Sequence, residues 1–170
     1  MRSEAPVRIT ALTAEDIDAV CALAAEIWRA YYPAIISTAQ IEYMLAQRYK
    51  PAVVREELAR GDLWWDKLLV NGRMVGFASY FLLRDTGAMK LDKLYVHPAY
   101  QRHGYGRMLV DRAVTMARAC GCDALVLAVN KHNAAAIAAY AKQGFAVVDS
   151  VVKDIGGGFV MDDYVMRLDV

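Results

Sequence analysis

Leu91–Leu109, LDKLYVHPAYQRHGYGRML, joins a strand, a glycine bend and a helix start in one continuous stretch. Leu91 to Val96 is apolar and stops at His97-Pro98; a short polar bend follows, and Gly104-Tyr105-Gly106 opens an amphipathic helix. Glycine lets main-chain N–H groups turn inward without a Cβ in the way. The first turn of a helix leaves N–H groups without an internal acceptor. Together these make an anion site of the kind that takes a pyrophosphate.

Spacing narrows the anion. A Walker loop needs GxxxxGK(S/T), and neither Gly-Lys-Ser nor Gly-Lys-Thr occurs in the chain. The dinucleotide fingerprint GxGxxG needs a glycine three places after Gly106, where Leu109 stands. Gln101-Arg102-His103-Gly104-Tyr105-Gly106 instead resembles the R/Q-x-x-G-x-G/A signature of the Gcn5-related N-acetyltransferases (GNAT), whose loop holds the pyrophosphate of acetyl-coenzyme A. The flanks extend the resemblance: an apolar LYV strand end before the loop and Asn133…Tyr140…Gly144-Phe145 after it.

Composition sets the bounds. The chain has 170 residues, enough for a single domain, 1–170, that buries about two-thirds of its unfolded surface. Hydrophobic residues make up 57%, yet no apolar run approaches the roughly 18 residues of a membrane span, so a soluble protein is expected. The N-terminal MRSEAPVRIT carries charge with no apolar segment behind it, which argues against a secretory leader. Cys21, Cys120 and Cys122 cannot all pair, and Cys120-Gly-Cys122 is not a CxxC spacing, so reduced thiols and a cytoplasmic location are expected. A net charge of +1 without a basic run leaves no footprint for nucleic acid.

Val7 to Leu12 reads as a strand, and Thr13-Ala14-Glu15-Asp16 as a capping box ahead of a helix whose stripe is Ile17, Val20, Cys21, Ala24, Ile27, Trp28 and Tyr31. Pro33 closes that helix, Ser37 with Gln40 opens a second, and Pro51 starts a third that Gly61 ends. Trp64 to Val70 and Met74 to Leu83 flank Asn71-Gly72, a strong two-residue hairpin signal. The helix after Gly104 is expected to bury Met108, Leu109, Ala113, Met116, Ala117 and Cys120, and Gly121 stops it. Ala124 to Val129 reads as a covered strand, Asn133 as the cap of Ala134 to Lys142, and Phe145 to Lys153 with Phe159 to Leu168 as two last strands. The order β, two or three α, three β, α, β, α, two β is mixed. It predicts an α/β fold of the α+β kind: about seven strands in a partly antiparallel sheet flanked by four or more helices. The same order belongs to the GNAT acyl-CoA N-acyltransferase fold, and the resemblance covers nearly the whole chain.

The resemblance implies acetyl-CoA as cosubstrate, with main-chain groups of Leu94, Tyr95 and Val96 along its pantetheine arm. Gln101, Arg102, His103, Gly104, Tyr105, Gly106 and Arg107 would lie around the pyrophosphate. Arg102 and Arg107 either neutralise phosphates or are solvated. Tyr140 matches the family's general acid near the coenzyme sulfur, or is a core tyrosine sharing a stripe with Ile137; Asn133 caps its helix and matches a family position near the coenzyme.

Asp92, on one face with Leu94 and Val96, is the first candidate for the base, the alternative being an ion pair with Lys90 or Lys93. The ending from Ile155 to Met166 and the segment from Trp28 to Tyr49 resemble the PaiA-like branch, associated with polyamines. On that reading Tyr31, Tyr32, Glu42, Asp92, Asp162 and Asp163 face the acceptor, although Asp162-Asp163 fits a turn or an ion pair equally well. Trp64 and Trp65 are adjacent, so at most one faces the core. His97, His103 and His132 lack metal spacing, and no metal is expected.

Two classes of function remain open: direct acetyl transfer to a primary amine, such as a polyamine, a protein amine, an amino acid or an aminoglycoside, and a coenzyme A-binding regulatory module. A small-molecule amine is the expected partner, without nucleic acid or membrane. A homodimer is open.

Overall fold

A computed structural model of the chain describes residues 5–170. Residues 1–4, where the expectation about a leader begins, lie outside them. Seven strands form one mixed sheet in the order β1-β2-β3-β4-β5-β7-β6, with five α-helices among the described residues. The strands are β1 (Val7–Ala11), β2 (Leu63–Val70), β3 (Arg73–Leu83), β4 (Ala88–Val96), β5 (Ala124–Asn130), β6 (Ala146–Gly156) and β7 (Phe159–Asp169). The helices are α1 (Ile17–Tyr31), α2 (Thr38–Arg48), α3 (Pro51–Leu58), α4 (Tyr105–Ala119) and α5 (Ala134–Lys142). The expected order of elements is the observed one. The chain divides into two compact units, one holding the residues up to Tyr80 with Lys93–Asp111, the other Phe81–Asp92 with Arg112–Val170.

In the first unit β1 runs antiparallel to β2 from Val7↔Val70 to Ala11↔Asp66. Asn71 (φ 51°) and Gly72 (φ 76°) turn β2 into β3, the pair of left-handed residues that a two-residue hairpin needs. α1 buries Ile17, Val20, Leu23, Ala24, Ile27 and Trp28; Leu23 belongs to the stripe, while Cys21 stays half-buried. Ser37 Oγ accepts from Gln40 N–H at 3.1 Å and caps α2. Trp65 is buried, and Trp64, on the other face of β2, stacks on Tyr80 with ring centroids 6.0 Å apart.

The entry to α1 carries a charge with a measurable consequence. Asp16 Oδ2 accepts from Thr13 N–H at 2.8 Å and from Lys67 Nζ at 2.7 Å. Burial pushes its pKa up, but the bonds from Lys67 and Thr13 and the charge of Lys67 together outweigh burial, so the carboxyl sits below its ordinary value. A depressed folded-state pKa gives stability that is complete above the unfolded value and is lost as pH falls through the folded one. Asp16→Asn should therefore lower the melting temperature at neutral pH. The gap to wild type should close in acid, as melts from about pH 7 to about pH 2 would measure.

In the second unit β4 is parallel to β5 over Ala88↔Ala124 to Lys90↔Val126. β5 is antiparallel to β7 from Ala124↔Asp169 to Asn130↔Asp163. β6 and β7 form a long hairpin whose register shifts between Val147 and Asp149 and between Asp154 and Gly156. β6 thus runs three residues beyond the expected Lys153.

α4 departs from the expected stripe. Leu109, Val110, Ala113 and Ala117 are buried, while Met108 and Cys120 are exposed. Val110 takes the place of Met108 because the helix leans on the row through 109, 113 and 117, one step round from the row through 108. No helix among the described residues is long and apolar enough to cross a membrane.

Candidate active site

The bend after β4 grows out of a strand that leaves its ladder early. The register with β5 covers Ala88, Met89 and Lys90. On the β3 side His97 N–H donates to Val75 O at 2.8 Å, and a Cβ on Gly76 would stand 2.8 Å from the Tyr95 carbonyl oxygen. Main-chain groups alternate between the two edges of a strand, so those of Leu94 and Val96 point to the edge opposite β3. There Gln101 Nε2 donates to the Val96 carbonyl at 3.2 Å.

His97 fixes the start of the bend. Its Nδ1 accepts from Ala99 N–H at 3.1 Å, so in the neutral ring Nε2 carries the proton and donates to Glu26, 2.9 Å away. Arg102 (φ 65°) and Gly104 (φ 78°) are both left-handed. The bond from Met108 N–H to Gly104 O, 3.1 Å, closes the first turn of α4, which puts the amides of Tyr105, Gly106 and Arg107 at its N-terminus. A Cβ on Gly104 would meet nothing within 4 Å, and one on Gly106 would meet Leu94 Cδ2 at 3.9 Å. There is thus open space beside both glycines, next to the first amides of α4, as an anion cradle requires. Gln101, Arg102, His103 and Arg107 are exposed around it, and His103 stacks on Tyr105 with centroids 5.4 Å apart. The bend fits the pyrophosphate of acetyl-CoA.

The same unit gathers aromatic rings at the end of α1. Trp28 lies 4.4 Å from Tyr32, 5.7 Å from Tyr95 and 5.8 Å from Tyr49. Tyr31 meets Tyr32 edge-on at 5.2 Å, and the hydroxyls of Tyr32 and Tyr95 are 3.0 Å apart. Beneath these rings is a charge that the sequence did not single out. Lys93 is 2% exposed. Its ammonium lies 3.3 Å from Glu57 Oε1 and 5.0 Å over the Trp65 ring, while Trp65 Nε1 donates to Glu57 Oε2 at 2.7 Å. The counter-ion of Lys93 is thus Glu57, from another element. On β4 the deeply buried charge is Lys93, while Asp92, one residue earlier and so on the opposite face, is half-buried. A second buried carboxylate, Asp66, accepts from Tyr80 Oη at 2.5 Å.

Glu42 faces outward. Arg29 Nε and Nη2 donate to its two oxygens at 2.8 and 3.0 Å, and these bonds, with the charge of Arg29, hold the carboxyl below its ordinary pKa against the opposing effect of burial.

The second unit holds the other candidates. Asn133 is buried and its Oδ1 caps α5 by accepting from Ala136 N–H at 3.3 Å. Tyr140 is half-buried with its ring 5.5 Å from Phe145, edge-on; α5 buries no residue fully, so Tyr140 is not a core tyrosine. Asp162 pairs with Lys131 at 2.5 Å. Asp163 is 4% exposed and faces Asn130 on β5 and Val151 on β6. The Cys122 thiol is pushed up by burial first, then by Cys120 and Asp123, the reverse of what an acyl-accepting thiolate needs. Among the described residues no group of three His, Cys, Asp or Glu is placed to hold a metal.

Known proteins resemble this chain in sequence and in fold. The profile of the acetyltransferase (GNAT) family matches residues 21–145. A spermidine N(1)-acetyltransferase of Thermoplasma acidophilum is 25% identical over 160 residues, 92% of this chain and 96% of that protein. An L-methionine sulfoximine/L-methionine sulfone acetyltransferase of Salmonella typhimurium is 36% identical over 80 residues, 45% of this chain; the match spans 47% of that protein's length. Among solved structures, the PaiA N-acetyltransferase of Thermoplasma acidophilum, in complex with coenzyme A, superposes with a TM-score of 0.83 at 23% identity over 97% of this chain and 99% of its own. A GCN5-related N-acetyltransferase of Rhodopseudomonas palustris gives 0.81 at 23% identity over 100% and 99%.

Proposed function

Because the chain belongs to the acetyltransferase (GNAT) family, we propose that it takes an acetyl group from acetyl-CoA and passes it directly to a small primary amine, with a polyamine of the spermidine type as the leading acceptor. The observation that supports this reading is the bend after β4, where the left-handed Gly104 leads into the first turn of α4 and has open space beside it. The first amides of α4 would hold the pyrophosphate, Arg102 and Arg107 would add charge at its rim, and the edge of Leu94 and Val96 turned away from β3 would pair with the extended arm, displacing Gln101 from the Val96 carbonyl. The thioester supplies an activated acetyl group; every other requirement falls on the chain. Tyr140 is proposed as the acid that protonates the departing thiolate, and Asp92 as the base that keeps the amine neutral. Tyr31 and Tyr32 are proposed to face the acceptor.

Two observations modify the acceptor reading. Glu42 and Asp162 are each engaged by a basic partner, Arg29 and Lys131, so a polycation would have to displace that partner to reach either carboxylate. The full-length similarity to a spermidine acetyltransferase supports the polyamine. The shorter match to a methionine sulfone acetyltransferase supports an amino acid as second reading.

Mixing the protein with acetyl-CoA and spermidine, spermine, methionine sulfone, an aminoglycoside or a peptide amine, and following release of free thiol, tests the proposal. Turnover that depends on one of these amines supports it, and acetyl-CoA binding without turnover on any of them marks a regulatory module instead. Gly104→Val should weaken coenzyme A binding by about a hundredfold or more in calorimetry, because a β-branched residue resists the left-handed conformation and its side chain enters the cradle. Unchanged affinity would move the cradle elsewhere.

A further inference from the structure

β6 is the last strand of the sheet, and nine of its eleven residues are exposed. Of the five large apolar side chains exposed among the described residues, Val147, Val148 and Val152 stand on β6 and Val160 on the facing end of β7. An edge strand offers a row of main-chain donors and acceptors to any second strand. What that second strand should be is written in the residues. The two register shifts bracket a regular stretch from Asp149 to Asp154, each residue paired in turn with β7. Ser150 N–H donates to the carboxylate of Asp149, 2.8 Å away, an acceptor on its own strand. Ser150 therefore presents its main-chain groups outward, and by alternation so does Val152.

We propose that β6 pairs antiparallel with β6 of a second copy of this chain about a two-fold axis through Val151. A two-fold normal to the sheet keeps each side chain on its own face, so it can pass only through a residue and its copy. Centred on Val151, it sets Ser150 opposite Val152 twice, an arrangement that exchanges four main-chain hydrogen bonds once Ser150 N–H leaves the Asp149 carboxylate for the copy. It also sets Asp149 opposite Lys153 twice, opposite charges on one face with Val151 against Val151 between them. Neighbouring registers lose this match. Centring on Asp149 or on Lys153 brings like charges together, and centring on Ser150 or Val152 sets Asp149 and Lys153 each against a valine or an isoleucine; Asp154 meets no opposite charge in any of these registers. The charges that keep this edge from pairing indiscriminately thus select one register.

Sedimentation equilibrium with the full chain tests the pairing. Wild type is expected at twice the chain mass in the micromolar range. Asp149→Lys and Lys153→Asp, which create like-charge contacts, are each expected at the chain mass with unchanged circular dichroism. An equimolar mixture of these two variants should return to twice the chain mass, because the mixed pair restores both opposite-charge contacts. Val152→Pro removes an outward N–H and should also give the chain mass. A wild type that stays at the chain mass throughout, a dimer that none of these changes weakens, or a mixture that fails to recover would each overturn the proposal.

Discussion

Tyr140→Phe is expected to lower kcat by about two to four orders of magnitude, the range that a positioned acid or base contributes, while coenzyme A affinity stays nearly constant. The residue has anchors besides its hydroxyl. Its main-chain carbonyl accepts from the N–H groups of Gln143 and Phe145, each at 3.0 Å, and its ring meets Phe145 edge-on; these contacts hold α5 in place when one oxygen is removed. An interaction made only while the thiolate departs lowers kcat and kcat/KM together. Stopped-flow measurement of thiol release, with calorimetry of coenzyme binding, separates the outcomes. Lost affinity at an unchanged rate would remove Tyr140 from the acid's role and leave it a binding residue.

Glu57→Leu is expected to cost about 3–5 kcal/mol of folding stability, because it removes the carboxylate paired with a buried ammonium. Lys93 is 1% exposed at its side chain and Glu57 19%, so little water reaches the ammonium in place of the lost carboxylate. Trp65 would lose the acceptor of its indole N–H at the same time. The double variant Glu57→Leu with Lys93→Met should recover most of the loss, since an apolar pair of similar volume can match a buried ion pair. Urea unfolding of the single and double variants measures both numbers. A single variant within about 1 kcal/mol of wild type would show that the ammonium is solvated or neutral when alone.

The features legible in the sequence are those written over a few residues. Thr13 with Asp16, Ser37 with Gln40, Asn71-Gly72 and Asn133 each mark an element boundary by a local hydrogen bond or a left-handed turn, and each stands where expected. The glycine bend was legible for the same reason. What escaped is written across the fold. The partner of Lys93 lies 36 positions away on α3, so strand β4 alone offered only Asp92 as its neighbour. Glu42 looked available for an acceptor because Arg29, 13 positions earlier, comes alongside only when α1 and α2 pack. The buried pair Asp66 and Tyr80 needs the turn of the β2–β3 hairpin to meet. On α4 the period was visible but its phase was not, because packing chose the Leu109 row over the Met108 row.

The ring cluster around Trp28 gives the protein an optical voice of its own. An indole with a tyrosine 4.4 Å away, whose hydroxyl touches Tyr95 on the strand that feeds the glycine bend, emits according to how that strand sits. Trp65 is coupled to the same cluster through Phe77 and Tyr49. Titration of coenzyme A could accordingly be followed by native ultraviolet emission, with no dye attached.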